Sequence, residues 1–310
     1  MYEFFGDKMP GLIEILLIII VVIIVVVVLG LVGLAYIAAN KLLKPPRRIY
    51  KWTPKDLGYD FEELIIKSNG VDLHGWFIDR GSNVTILAIH GYTSSKWDET
   101  YMKPVINILA KNGFNVAAFD FRAHGRSGGE ITTLGYLETQ DYKNIISWLK
   151  QNKPEKAEKI GLIGYSMGGA VTIMLTALDD RIDFAIADSP YIDIVSSGKR
   201  WIMRMKGFIR NVLLTVYPLI VFFAAKKAGI NVDDLKLYKY ADRIKKPLLI
   251  IAGKNDDLVS IDEIKKFYEL VSKHNKHVDI WITDSQHVRA IQDYPKEYEE
   301  KIISFYKRWL

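Results

Sequence analysis

Hydrophobic and polar positions divide the chain into two unequal parts. From Ile15 to Ala39 the run ILLIIIVVIIVVVVLGLVGLAYIAA continues for 25 residues without a charge. As a helix it is long enough to cross a hydrocarbon core of about 30 Å. A buried helix of a soluble domain would be shorter and would keep a polar stripe. One transmembrane helix is predicted, so that residues 1–40 form an N-terminal tail and the span. A cleaved signal peptide fits badly, because MYEFFGDKMP sets Glu3 and Asp7 against Lys8 and the apolar run is about twice the usual length.

Beyond residue 60 the pattern changes to short apolar runs alternating with helical periods. Val84 to Ile89, Val116 to Phe119, Ile160 to Ile163, Phe184 to Ala187, Pro247 to Ala252 and Val278 to Ile282 are apolar and β-branched, as strands buried on both faces are. Between most of them, stretches such as LGYLETQDYKNIISWLKQN and SIDEIKKFYELVSK repeat apolar residues every three or four positions. Ahead of these, FEELIIKSNGVDLHGWFI predicts a hairpin turning at Asn69-Gly70. Alternating strands and helices imply an α/β domain with a mostly parallel sheet covered on both faces.

Charge adds orientation. Lys41, Lys44, Arg47, Arg48 and Lys51 follow the span with no acid among them. Basic residues collect on the cytoplasmic side, which places the large domain inside. The paired prolines of KPPRR make residues 41–60 a stiff juxtamembrane linker. A net charge of +6 in 310 residues is far from a nucleic-acid-binding surface, so no nucleic-acid partner is expected. With no cysteine there is no disulfide, no thiolate metal site and no cysteine nucleophile, and no metal site is expected.

In a parallel sheet, ligands bind at the carboxyl ends of strands. Ser166 stands there in GLIGYSMGGA, between a strand and a helix, in the strand-turn-helix setting of a nucleophile elbow. Gly164 and Gly168 leave room where strand and helix pack. The N–H of Met167 can donate to an oxyanion, and in LAIHGYTSS the N–H of Tyr92 is the choice for a second donor. A serine needs a base, and His287 in TDSQHVRA follows the last strand at the correct end. His274 and His277 fall at the wrong end of that strand, and His74 lies in the early hairpin. For the acid, IIAGKNDDLVS presents Asp256 and Asp257 after a strand, and Asp188 in IADSP is a third candidate.

The order serine, acid, histidine is that of an α/β-hydrolase. From about residue 61 onward the chain resembles the α/β-hydrolase superfamily, close to its membrane-anchored bacterial esterase and serine-aminopeptidase-like branch. HGYTSS, DFRAHGRSGG, GYSMGG, DSPY, GKNDDLV and SQHVRA carry the resemblance. It implies a domain over residues 61–310 with an eight-stranded sheet whose second strand is antiparallel. The family's acid stands three residues after a glycine and three before a valine; Gly253 and Val259 give Asp256 that register, ahead of Asp257. Asp120, Arg122 and His124 are read as a structural network at the edge of the site.

The implied chemistry is covalent: Ser166 attacks a carbonyl, His287 moves the proton, Asp256 orients the imidazole, and water releases the acyl group with no cofactor. A small helical cap is expected over about 192–240. There Lys199, Arg200, Arg204, Lys206 and Arg210 interleave with Trp201, Met203 and Phe208, ahead of the 14-residue run VLLTVYPLIVFFAA. That run is too short to span and reads as two cap helices. Basic and apolar residues mixed in this way suit an anionic membrane surface, while an ordinary cap with solvated lysines explains them equally well. Carboxylic esters, including acyl or lipid esters, are the expected substrates. Peptidase, amidase or thioesterase activity is the alternative, and an inactive membrane-bound interaction module is the alternative of another class.

Overall fold

Residues 11–310 are described by the computed structural model, and the expected N-terminal tail lies outside the described residues. Helix α1 runs over Leu12–Leu43, longer at both ends than the uncharged run. Every side chain from Leu12 to Leu29 is exposed and the mean hydropathy over an 18-residue window reaches 4.0, so the helix is long and apolar enough to cross a membrane. Its last third is different. Ala35, Ala39 and Leu43, four apart and therefore on one face, are buried against another helix. The two alanines allow close backbone approach.

The segment expected to be a linker is packed against the domain. After Pro45-Pro46 the chain is in neither helix nor strand, and the Arg47 guanidinium donates to the carbonyls of Gly125 at 3.3 Å, Gly129 at 2.7 Å, and Ser127. Trp52 is buried in a cluster with Trp76 and Trp97. The reason for the difference is physical: a guanidinium with five donors finds a row of loop carbonyls that no local pattern announces.

Strands β1 (Glu62–Ser68) and β2 (Val71–Ile78) form the hairpin, with Asn69 at φ 48° and Gly70 at φ 76°, the pair of left-handed residues a tight hairpin turn requires. Then follow β3 (Val84–Ile89), α2 (Met102–Lys111), β4 (Asn115–Phe119), α3 (Tyr136–Asn152), β5 (Lys159–Tyr165), α4 (Met167–Leu178) and β6 (Phe184–Asp188). A cap of α5 (Ile194–Met203), α6 (Phe208–Thr215) and α7 (Tyr217–Ala228) precedes β7 (Leu248–Gly253), α8 (Ile261–Ser272), β8 (Val278–Thr283), α9 (Ala290–Asp293) and α10 (Pro295–Trp309). The sheet has eight strands in the order β1-β2-β4-β3-β5-β6-β7-β8, and β2 is antiparallel to both neighbours while β3 to β8 are parallel.

Two apolar layers cover the sheet. Phe77, Leu87 and Leu162 face α3, α4 and α8, whereas Trp76, Ala88 and Ile163 face α2 and α10, as the two-residue period of a strand dictates. The cap carries three helices where the apolar run alone predicts two. That run supplies α6 and α7, which meet at 59°, and α5 is added by Asp193, whose carboxylate accepts from the Val195 N–H at 2.8 Å and so caps its first turn. It is α7, through Ile220 and Ala224, that covers the buried face of α1.

Candidate active site

Sheet geometry brings the carboxyl ends of β3, β5, β6, β7 and β8 to one edge. Ser166 sits at the sharp turn from β5 to α4 at φ 54°, a left-handed conformation that a non-glycine residue adopts only under constraint. Its N–H is fixed by the Asp188 carbonyl at 2.9 Å. A methyl group at Gly164 would lie 2.1 Å from the Gly168 carbonyl oxygen, so no larger residue fits the elbow.

Three predicted side chains meet. The Ser166 hydroxyl donates to His287 Nε2 at 2.8 Å, and His287 Nδ1–H donates to Asp256 Oδ2 at 2.7 Å. Asp256 is held by its other oxygen, which accepts from the N–H groups of Leu258 at 2.8 Å and Val259 at 2.9 Å. Val259 is buried in the core, and the close passage of the His287 loop leaves only 2.1 Å between a would-be Gly253 methyl and the Ser285 carbonyl oxygen. The glycine-acid-valine register thus has a mechanical basis. Asp257 points elsewhere and pairs with Arg204, at the carboxyl end of α5, at 3.0 Å.

Of the two expected amide donors, one follows Ser166 directly and the other follows Gly91. Met167 opens α4, and a methyl at Gly91, next to Tyr92, would stand 3.3 Å from Ser166 Cβ. Among the described residues neither N–H has an acceptor. His90 fixes the loop that carries Tyr92: its Nδ1–H donates to the Gly91 carbonyl at 2.7 Å and its Nε2 accepts from the Phe121 N–H at 2.9 Å. Burial holds its pKa well below the usual histidine range, so it stays neutral in this role. Arg122 forms a two-pronged ion pair with Asp141, at 2.7 Å for both bonds, and Asp120 pairs with the buried Lys96. With the His124 ring on the Arg122 carbonyl at 2.8 Å, these residues brace the loop after β4.

Asp188 makes no hydrogen bond with His287. It accepts from the Tyr298 hydroxyl at 2.9 Å and from Ser189 Oγ at 2.9 Å, and Ser189 Oγ in turn accepts from the Val288 N–H at 3.1 Å. This chain of bonds holds the residue next to His287, and nothing in the sequence signals it. Burial raises the Asp188 pKa to about 6 from an ordinary value of 3.8. A carboxyl with a raised folded-state pKa binds its proton more tightly when folded. Its contribution to stability is complete below about pH 4 and is lost as pH rises to about 6, on the order of 3 kcal/mol. Guanidinium unfolding followed by tryptophan fluorescence should therefore show the wild type losing stability over that interval relative to Asp188→Asn.

Ser166 and His287 open into a cavity of about 520 Å³. Its walls are the cap, through residues such as Trp201, Ile209 and Val221, and α1, through Leu34, Ala38 and Leu42. Among the described residues that line it, Lys41 is the one permanently charged side chain.

Comparison with known proteins agrees with this architecture. The profile of the X-Pro dipeptidyl-peptidase (S15) family matches residues 80–220. The Pyrococcus furiosus esterase Pf2001 is 42% identical, with 87% of this chain and 98% of that one covered and a TM-score of 0.76. The uncharacterized protein YqkD of Bacillus subtilis is 31% identical over 211 residues, 66% of each chain. The fold also resembles Pyrococcus horikoshii acylaminoacyl peptidase, at 20% identity and a TM-score of 0.64, over 81% of this chain and 42% of that one.

Proposed function

We propose that this chain, which belongs to the α/β-hydrolase superfamily and is an enzyme of the serine-hydrolase kind, is a membrane-anchored carboxylic ester hydrolase acting through Ser166, His287 and Asp256. The observation that carries this reading is the Ser166–His287–Asp256 relay, 2.8 Å and 2.7 Å long, at the end of an apolar cavity.

In the reaction, Ser166 Oγ bonds to the ester carbonyl carbon as its proton passes to His287 Nε2. The carbonyl oxygen becomes an oxyanion, which the N–H groups of Tyr92 and Met167 stabilise. Its collapse breaks the carbon–oxygen bond of the leaving alcohol, which takes the proton from His287. Water then attacks the acyl-serine by the same route in reverse. Asp256 accepts from Nδ1–H throughout, keeping Nε2 free to take a proton.

An ester is favoured over a peptide by the cavity itself. A dipeptidyl-peptidase or aminopeptidase must hold a free α-ammonium, and among the described residues no carboxylate lines this cavity. The S15 profile also ends before Asp256 and His287, and the 42% identical relative is called an esterase.

Helix α1 serves as the anchor, with the domain on the cytoplasmic side as the basic cluster after it directs. Lys199, Arg200, Lys206 and Arg210 of the cap face an anionic lipid surface, while Arg204 is engaged by Asp257. The test is a series of p-nitrophenyl esters beside aminoacyl-anilides, with the full chain in detergent. Ester cleavage supports the reading; cleavage of anilides alone overturns it. A reporter fused after Leu310 tests the orientation, since activity of an exported reporter contradicts a cytoplasmic domain.

A further inference from the structure

Helix α1 does two things at its carboxyl end, on two neighbouring faces. Ala35, Ala39 and Leu43 pack on α7, whereas Leu34, Ile37, Ala38, Lys41 and Leu42, joined by Leu43, line the cavity that holds Ser166. The helix that would anchor the protein is thus also a wall of its reaction chamber. From this arrangement we infer that the substrate is a single-chain acyl ester drawn from the bilayer, its acyl chain lying along α1. The inference rests on the ester-hydrolase reading above and names its substrate class.

Depth supports it. Residues 15–34 of α1 rise about 30 Å, the thickness of a hydrocarbon core. The basic residues that follow, from Lys41 to Arg48, mark the polar boundary. The cavity-lining segment from Leu34 to Leu42 is about 12 Å long and runs from the end of that apolar length to the first of those basic residues. An ester there has its carbonyl near the headgroup level and its chain on the hydrocarbon side, as a lipid ester in a leaflet does.

The surroundings are apolar on every side that matters. The cap adds Trp201, Ile209, Leu213 and Val221 to the lining, and it leaves Trp201, Met203, Phe208 and Phe222 exposed. Exposed apolar groups beside a bare apolar helix mark a surface that meets lipid. A chain moving from leaflet to cavity would keep its methylenes out of water throughout. The volume, about 520 Å³, falls in the range that holds one ligand of small-molecule size. Finally, the wall is fixed to the reactive end: the Tyr92 hydroxyl donates to the Leu42 carbonyl at 2.9 Å, and the Thr132 N–H donates to the Leu43 carbonyl at 2.9 Å.

The test uses the full chain reconstituted in phosphatidylcholine and phosphatidylglycerol vesicles, with p-nitrophenyl butyrate and palmitate. The wild type should prefer palmitate in kcat/KM. Ala38→Phe, which fills the cavity beside α1, should lower the palmitate-to-butyrate ratio about tenfold. Ile37→Trp lines the same cavity from an exposed position, and it decides the matter if Ala38→Phe does not fold. Ile20→Trp, on the same helix outside the cavity, should leave the ratio as it is. Unchanged ratios in the folded cavity variants, or a wild-type preference for butyrate, overturn the inference and leave the esterase reading standing. Failure of the wild type to cleave any ester overturns the reading beneath it. Palmitate presented in the same vesicles should be cleaved faster than palmitate in separate ones, and equal rates exclude delivery from the bilayer.

Discussion

On the proposed reading, ester hydrolysis should fall by about a millionfold in Ser166→Ala, to the level that amide donors and binding alone sustain. The hydroxyl is the group that His287 Nε2 faces at 2.8 Å. Alanine keeps the backbone at φ 54°, where the Asp188 carbonyl and the tight packing of Gly164 and Gly168 over-determine the turn. The variant should therefore fold and simply fail to react. Two measurements separate these effects. A fluorophosphonate probe labels the wild type and leaves Ser166→Ala unlabelled, while thermal unfolding shifts by only a few degrees. Labelling of Ser166→Ala at the wild-type rate would place the nucleophile elsewhere.

The second large effect belongs to Asp256→Asn, which should lower kcat by about ten-thousandfold. The cause is the direction of one proton. Asp256 Oδ1 is occupied by the N–H groups of Leu258 and Val259, so an asparagine keeps its oxygen there and turns its NH₂ toward His287. The imidazole then presents an unprotonated Nδ1 and carries its proton on Nε2, facing Ser166, where it can no longer accept one. Asp257→Asn is the control, because it removes only a half-exposed pair with Arg204 at 3.0 Å. Such pairs contribute at most about 1 kcal/mol, and kcat should stay within about twofold of wild type. A large loss in Asp257→Asn and none in Asp256→Asn would reverse the assignment.

Much of this arrangement is legible in the sequence because its signals are local. The strands from β3 to β7 are buried over almost their whole length and so appear as mostly apolar runs, and the predicted runs coincide with observed strands apart from one or two residues at the ends. The hairpin is announced by Asn69-Gly70, whose backbone needs left-handed conformations. Gly164 and Gly168 mark the elbow around Ser166 because the packing distances at both admit nothing larger. The choice among Asp188, Asp256 and Asp257 is harder from residues alone, since all three follow strands at the same edge. What separates them is the partner: the ring of His287, the guanidinium of Arg204, or the hydroxyls of Tyr298 and Ser189.

Other features have no local signature. Arg47 looks like one more basic residue after an apolar span, and only the loop carbonyls of Gly125, Ser127 and Gly129 give it a structural task. Residues 41–60 suggest a spacer because prolines and charges resemble one, yet Trp52 completes an aromatic cluster formed by residues far along the chain. The role of α1 in the cavity is hidden for the opposite reason. A helix apolar all round gives no sign of which face meets protein and which meets lipid.

The hydrogen bond from the Tyr92 side chain to the Leu42 carbonyl has a mechanical implication. In the proposed reaction the same residue would offer its backbone amide to the ester, which would join the tilt of α1 to the position of that amide through one aromatic ring. A bilayer thicker or thinner than the apolar length of the helix imposes a different tilt. Lipid thickness would thereby act on turnover as a tuning parameter, with an optimum where the anchor sits unstrained.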